Sequence, residues 1–378
     1  MLMIPGPTPV PEQVLLAMAK HPMGHRSGEF SAMMAEVTAN LQWLHQTQND
    51  LLILAASGTG AMEAGIINFL RQGDRVLVGN NGKFGERWGQ VARAYGLEVQ
   101  EITMPWGQPL DPTDFKAALD ADIDKQIRAV IITHSETSTG VLNDLETINR
   151  HVKAHGDALI IVDAVTSLGA CSLPVDEWGL DVVASGSQKG YMIPPGLAFV
   201  CVGPKAWAAY ETANLPRFYL DLGPYRKDSR KHTTPFTPPV NLFFALQAAL
   251  VMMQKEGLEA IFDRHDRHRR ATRAAMGALN LPLFGADDCA SPAITAVMPD
   301  QVDAEQVRSI MKKRFDIALA GGQDHLKGKI FRIGHLGFVC DRDILTAVAA
   351  LEATLGHLGY PQASLGGGVQ AASQALLG

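Results

Sequence analysis

The chain has 378 residues, of which 47% are hydrophobic and 19% charged, and a net charge of −6; this is the composition of a globular protein with material for a large core and about two domains. A mildly acidic surface does not attract nucleic acid or an anionic membrane, so neither is expected as an obligatory partner. Cys171, Cys201, Cys289 and Cys340 stand far apart and form no Cys-x-x-Cys pair, which argues against zinc ribbons and thioredoxin-type redox motifs.

The N-terminus, MLMIPGPTPVPEQ, is proline-rich and lacks the charged-then-apolar build of a signal peptide. Short β-branched runs then alternate with helical patterns. Strands are expected at Leu51–Ala55, Arg75–Val78, Ala129–Thr133, Ala158–Val162 and Leu197–Val202, several of them apolar at every position, as in parallel strands buried on both faces. Helices are expected at Ala61–Arg71, Glu86–Tyr95 and Leu145–His155, each followed by a glycine stop. This alternation predicts an open α/β sheet with helices on both faces.

Beyond about residue 204 a Pro- and Arg-rich loop, 216–239, leads into a long helix from about Asn241. Its apolar stretch LFFALQAALVMM, 242–253, is too short to span a bilayer and contains Gln247, so a cytoplasmic protein is expected. A charged helix (Ala260–Met276) follows, then Ala293–Met298, helix Ala304–Phe315, strand Lys329–Ile333 and a helix from Asp341, the pattern of a smaller α+β domain. The expected division is an N-terminal arm (1–20), a large domain (21–255), a small domain (256–360) and a flexible tail (361–378) with a glycine triplet. His265 and His268 share a helix face with metal-ligand spacing, but the surrounding charge run reads as a solvated surface.

Three features carry chemistry. In LLILAASGTGAMEAGIINFL, 51–70, a strand meets a glycine-rich turn and a helix, whose N–H groups and dipole favour a phosphate. Gly58-x-Gly60-x-x-Glu63 has glutamate where a dinucleotide fingerprint needs Gly or Ala, and no GK[ST] occurs. A dinucleotide-dependent oxidoreductase is therefore the disfavoured rival of a different class. Asp163 ends an apolar strand, where ligands bind in open α/β sheets; such a carboxylate either caps a turn or meets a cation. Lys189, in SGSQKGYMIPPG, stands at the next strand end. A phosphate cradle, an aspartate and a lysine in this order are what pyridoxal phosphate requires.

With SGTGAMEA, THSETSTGVL, VDAVTSLG, SGSQKGYMIPPG and FRIGHLG, the chain resembles the class V, fold type I, pyridoxal-phosphate aminotransferases, and within them the alanine/serine–glyoxylate enzymes. The likeness runs from IPGPTPVP at residue 4 to about residue 357. It implies an α/β fold with a large domain built on a mostly parallel seven-stranded sheet between helices, plus a smaller C-terminal α+β domain. It further implies pyridoxal 5'-phosphate as cofactor, amino-acid and 2-oxo-acid substrates, and a homodimer with shared active sites.

Residue by residue, the resemblance makes Lys189 the lysine that condenses with the cofactor aldehyde and shuttles the substrate proton. It gives Asp163 the pyridine nitrogen and Val165 a ring face. Ser57, Gly58, Thr59 and Gln188 match phosphate-binding positions. Phe84 takes the place of a stacking aromatic that is Trp in some relatives, and Thr137 matches a contact to the phenolic oxygen. Thr237 matches a phosphate contact from the neighbouring subunit, with Thr234 where some relatives carry a tyrosine. Arg332 is implied as the receiver of the substrate α-carboxylate, with Gly6 at the substrate site. Aspartate, ureidoglycine and 2-aminoethylphosphonate remain alternative donors.

Overall fold

The computed structural model describes residues 1–360 and 365–378. Its centre is a seven-stranded sheet built from β1 (Asp50–Leu54), β2 (Arg75–Asn80), β3 (Glu98–Thr103), β4 (Ile127–Thr133), β5 (Leu159–Asp163), β6 (Val182–Gly186) and β7 (Ala198–Val202), in the order β1-β7-β6-β5-β4-β2-β3. Only β7 runs against its neighbours. Because β7 is antiparallel to both β1 and β6, those two point the same way as β2–β5. The loops after β1, β4, β5 and β6 therefore emerge along one sheet edge.

Side chains alternate between two cores, as the period of two along a strand requires. Leu51, Ile53, Val130, Ile132, Ile160 and Val162 face helices Gly28–His45, Leu145–His155 and Val240–Glu256. Leu52, Leu54, Ala129, Ile131, Leu159 and Ile161 face helices Gly58–Ile67 and Lys83–Ala94. Each fully buried Val, Leu or Ile contributes roughly 1.5–3 kcal/mol, so the strands that hold the site are fixed from both sides. The edge strand β3, EVQEIT, carries Glu98 and Glu101 and buries only Ile102, which hides it from a search for wholly apolar runs.

A second sheet pairs Leu2–Met3, Ala318–Gly321, Phe331–Gly334 and Ile294–Val297 in that order. The first residues thus belong to this sheet, with Met3 in its core. The chain next passes Lys189, where the Thr8 N–H donates to Gln188 O at 3.1 Å. It then joins the large core through helix Glu12–Met18, at Val14 and Ala17.

Two expectations are corrected here. The tail is not loose over Gly367–Leu377, which form a helix against Leu258–Ala278 and Asp341–His357. Glu352 accepts from the Gly366 and Val369 N–H groups at 2.9 Å each, and Ala372 is buried. Val369, Ala372 and Ala375–Leu376 make an apolar stripe that the glycine triplet masked; the part of that expectation on 361–364 lies outside the described residues. The charged helix is also not solvated throughout, since His265 and His268 are fully buried. His265 Nδ1 donates to Ile261 O at 2.7 Å, and its Nε2 accepts from the Gly337 N–H at 3.0 Å.

Candidate active site

The glycine-turn corner of the site starts at β1. Ser57 is the N-cap of helix Gly58–Ile67, yet its hydroxyl makes no cap hydrogen bond. Gly60 and Ala61 turn their N–H groups back to Ser57 O, which leaves Gly58 and Thr59, in the first turn, pointing outward. The helix dipole adds about half a positive charge there. A Cβ on Gly58 would sit 3.0 Å from Val165 Cγ2, so glycine is what lets the turn approach β5. Across it, Gln188 Oε1 is buried without a partner. Unpaired donors, a bare hydroxyl and a positive helix end fit a phosphate.

Asp163 ends β5 and is 4% exposed. Burial pushes its carboxyl up to about 6, against the Val165 N–H, which donates to Oδ1 at 2.9 Å. Lys189 lies three residues past β6 and is also buried, at 8% exposed. Its Nζ donates to Pro5 O at 2.6 Å. A Cβ on Gly6 would come within 2.8 Å of Lys189 Cδ and Cε, so the N-terminal arm lies flat on the lysine. Burial, then the nearby Arg332 charge, lowers this amine to about 8.

Arg332 comes from the other sheet, on Phe331–Gly334. Its Nε and Nη2 donate to Gly321 O at 3.0 and 2.7 Å, and its Nη1 to Thr137 O at 2.7 Å. One hydrogen remains on each Nη, the geometry for a bidentate carboxylate. Burial lowers it to about 10, so it stays charged at neutral pH. Thr137 is in the hairpin after β4, and its hydroxyl lies 2.6 Å from that of Thr166.

A cavity of about 300 Å³ collects Ser57, Gly58, Thr59, Phe84, Thr137, Asp163, Val165, Gln188, Lys189 and Gly6. The adjoining space shares Gly6, Phe84, Thr137 and Lys189 and adds Arg332. Thr234 and Thr237 are not brought to this cavity by their own chain. Thr234 is buried with its hydroxyl on Phe236 O, and Thr237 is exposed.

Three participants escape sequence reasoning. Glu136 is fully buried and accepts from the Phe84, Gly85 and Ser138 N–H groups and the Ser138 hydroxyl, at 2.6–3.1 Å. It ties the helix carrying Phe84 to the hairpin carrying Thr137, and burial pushes its carboxyl up. The signal was an acid set among hydroxyl residues in HSETSTG. Thr166 and Arg87 also line the cavity; Arg87 stands one helical turn from Phe84, which is its sequence signal.

The chain is similar to several known proteins. A family model described as aminotransferase class-V matches residues 1–334. The small subunit of a soluble hydrogenase from Synechococcus sp. is 76% identical, over 100% of this chain and 98% of that protein. An L-aspartate–glyoxylate aminotransferase from Paracoccus denitrificans is 38% identical, over 99% of this chain and 95% of that one. The crystal structure of ureidoglycine–glyoxylate aminotransferase from Bacillus subtilis superposes with a TM-score of 0.93 at 32% identity, covering 100% of this chain and 98% of that chain. The chain described here belongs to the class-V aminotransferase family.

Proposed function

We propose that the protein is a pyridoxal 5'-phosphate-dependent aminotransferase that moves the amino group of alanine or serine to glyoxylate, giving glycine and pyruvate or hydroxypyruvate. The observation that carries this reading is a pair of adjoining cavities that share Gly6, Phe84, Thr137 and Lys189, one adding Asp163 and the open N–H groups of Gly58 and Thr59, the other the Arg332 guanidinium. When bound, the cofactor supplies an aldehyde and an electron-withdrawing ring that acidify the α-C–H of an attached amino acid.

The chain's residues do the rest. Ser57, Gly58, Thr59 and Gln188 would hold the phosphate, and Val165 and Phe84 the ring, while the Asp163 charge would keep a proton on the ring nitrogen. The Thr137 and Thr166 hydroxyls would serve the phenolic oxygen. Arg332 offers its two open Nη hydrogens to the α-carboxylate and so orients the α-carbon. Lys189 Nζ then carries the proton, and a base of pKa about 8 is suited to that near neutral pH. Pro5–Gly6 lie against Lys189, a low roof that suits a small side chain. Thr237, exposed on its own chain, would complete the phosphate site of a second copy, which makes the enzyme a homodimer; Thr234, buried with its hydroxyl on Phe236 O, does not reach that site. The hydrogenase name of the Synechococcus relative is not carried over, because these are the groups that amino transfer uses.

One observation favours a second reading. Arg308 lines the same space as Arg332 and would suit a donor with a second carboxylate, such as aspartate. A donor panel of alanine, serine and aspartate, each against glyoxylate, pyruvate and 2-oxoglutarate, separates these. The highest kcat/KM is expected for alanine or serine with glyoxylate. Aspartate winning would transfer the conclusion to the second reading. Glyoxylate failing while pyruvate or 2-oxoglutarate works would overturn the acceptor.

A pH dependence also follows. Only the neutral amine attacks an aldehyde, and the neutral fraction of Lys189 grows through about pH 8 rather than 10.5. Stopped-flow uptake of pyridoxal phosphate by apoprotein is therefore expected to accelerate up to about pH 8 and then level off. A rate still climbing tenfold per unit above pH 9, by this same ionisation, would contradict it.

A further inference from the structure

We propose that Arg87 is the countercharge of the cofactor phosphate: a cation held at the cradle to recognise the dianion. This rests on the pyridoxal-phosphate reading above. Arg87 is the fifth residue of helix Lys83–Ala94 and lines the cavity. Its guanidinium carbon lies 4.8 Å from the Phe84 ring centroid, and Nη1 lies 3.5 Å from Thr59 Oγ1. Thr59 is in the first turn of helix Gly58–Ile67, where the dipole is positive and repels a cation.

The other cations on Arg87's helix are matched. Lys83 pairs with Glu86 and with Asp324 at 3.3 and 2.6 Å, and Arg93 pairs with Glu101. Among the described residues Arg87 has no such carboxylate; its polar contact is the Thr59 hydroxyl. A guanidinium stacked on one aromatic and turned toward a helix N-terminus is electrostatically out of place until an anion sits between them. A phosphate monoester brings a charge of about −1.5 to −2 at neutral pH, and the helix end offsets about half a unit. Lys189, the other cation lining the cavity, turns its amine to Pro5 O and, on the reading above, to the aldehyde rather than the phosphate. Arg87 is then the full positive charge left beside the cradle, and its field already reaches Asp163 and Lys189.

The rival role is purely positional: Arg87 stacks on Phe84 and keeps that ring in place. The two roles separate on the cofactor's own chemistry. Apoprotein prepared from the holoenzyme is titrated with pyridoxal 5'-phosphate and with pyridoxal, which has the same ring and aldehyde but no phosphate. Binding is read from quenching of protein fluorescence. Arg87→Gln is expected to weaken pyridoxal phosphate about 10- to 100-fold, as loss of a charged hydrogen-bond partner does, and to leave pyridoxal within about twofold. Arg87→Lys, which keeps the charge, is expected to retain most of the preference for the phosphate ester. Equal weakening of both ligands by Arg87→Gln, or no weakening of either, overturns the proposal. So does an Arg87→Lys protein that behaves as Arg87→Gln. If wild-type apoprotein binds neither ligand, the cofactor reading itself fails.

Discussion

Lys189→Ala is expected to give a folded protein that holds pyridoxal phosphate without a covalent bond and transfers amino groups at least roughly 10²–10⁴-fold more slowly, the usual contribution of a positioned acid–base group. Folding should survive because the native site gains nothing from the ammonium. Burial lowers its pKa to about 8 from 10.5, so the folded state holds fewer protons than the unfolded state between those values. Stability therefore rises with pH across that window, and the cost of burying the cation is fully present below it. Removing the amine removes that cost. Cofactor retention on gel filtration in denaturant, together with initial rates, checks the prediction. Turnover equal to wild type would remove Lys189 from the chemistry.

Asp163→Asn is expected to separate stability from activity. The folded pKa is raised from 3.8 to about 6, chiefly by burial, so the folded state binds more protons than the unfolded one between those values. Stability falls as pH rises through this window, and the cost is complete above about pH 6. Asparagine keeps an oxygen that can accept from the Val165 N–H and has no charge to bury. The Asn apoprotein should melt higher than wild type at pH 7.5, by roughly 1–3 kcal/mol of stability, and the gap should close as pH falls toward 4. Turnover should drop roughly 10²–10³-fold, as when one preorganised charge is removed from a site. Apoprotein melting at the two pH values and kcat test both halves. A wild-type apoprotein that melts higher than the variant at pH 7.5 would contradict the burial account.

The fold class and the centre of the candidate site were legible in the sequence because the signals for both are local there. Leu159–Asp163 is buried on both faces, so its residues are apolar without alternation, and the one carboxylate at its end stands out. Lys189 and the Ser57–Thr59 turn are marked in the same way, by polar residues at the ends of core strands. What stayed hidden depends on contacts between distant parts of the chain. Arg332 meets Thr137 across 195 positions, and only the family resemblance pointed to it. Glu136 and Arg87 look like ordinary surface charges until the hairpin and helix close over them. His265 sits in a charge run but turns inward to the Gly337 N–H, next to the Lys189 backbone, a direction that composition does not encode. The C-terminal helix was missed because its small residues bury little area each, and its partner Glu352 belongs to another helix. Thr234 serves its own chain, with its hydroxyl on Phe236 O and its carbonyl on Arg26, and Thr237 is left exposed.

The central claim is that Lys189 holds the cofactor covalently. Reduction of the purified holoenzyme with borohydride, followed by digestion and mass spectrometry of the peptides, tests it most directly. The account predicts a phosphopyridoxyl adduct on the peptide containing SGSQKGYMIPPG, at Lys189 and at no other lysine. A protein that carries no adduct, or carries it elsewhere, contradicts the account.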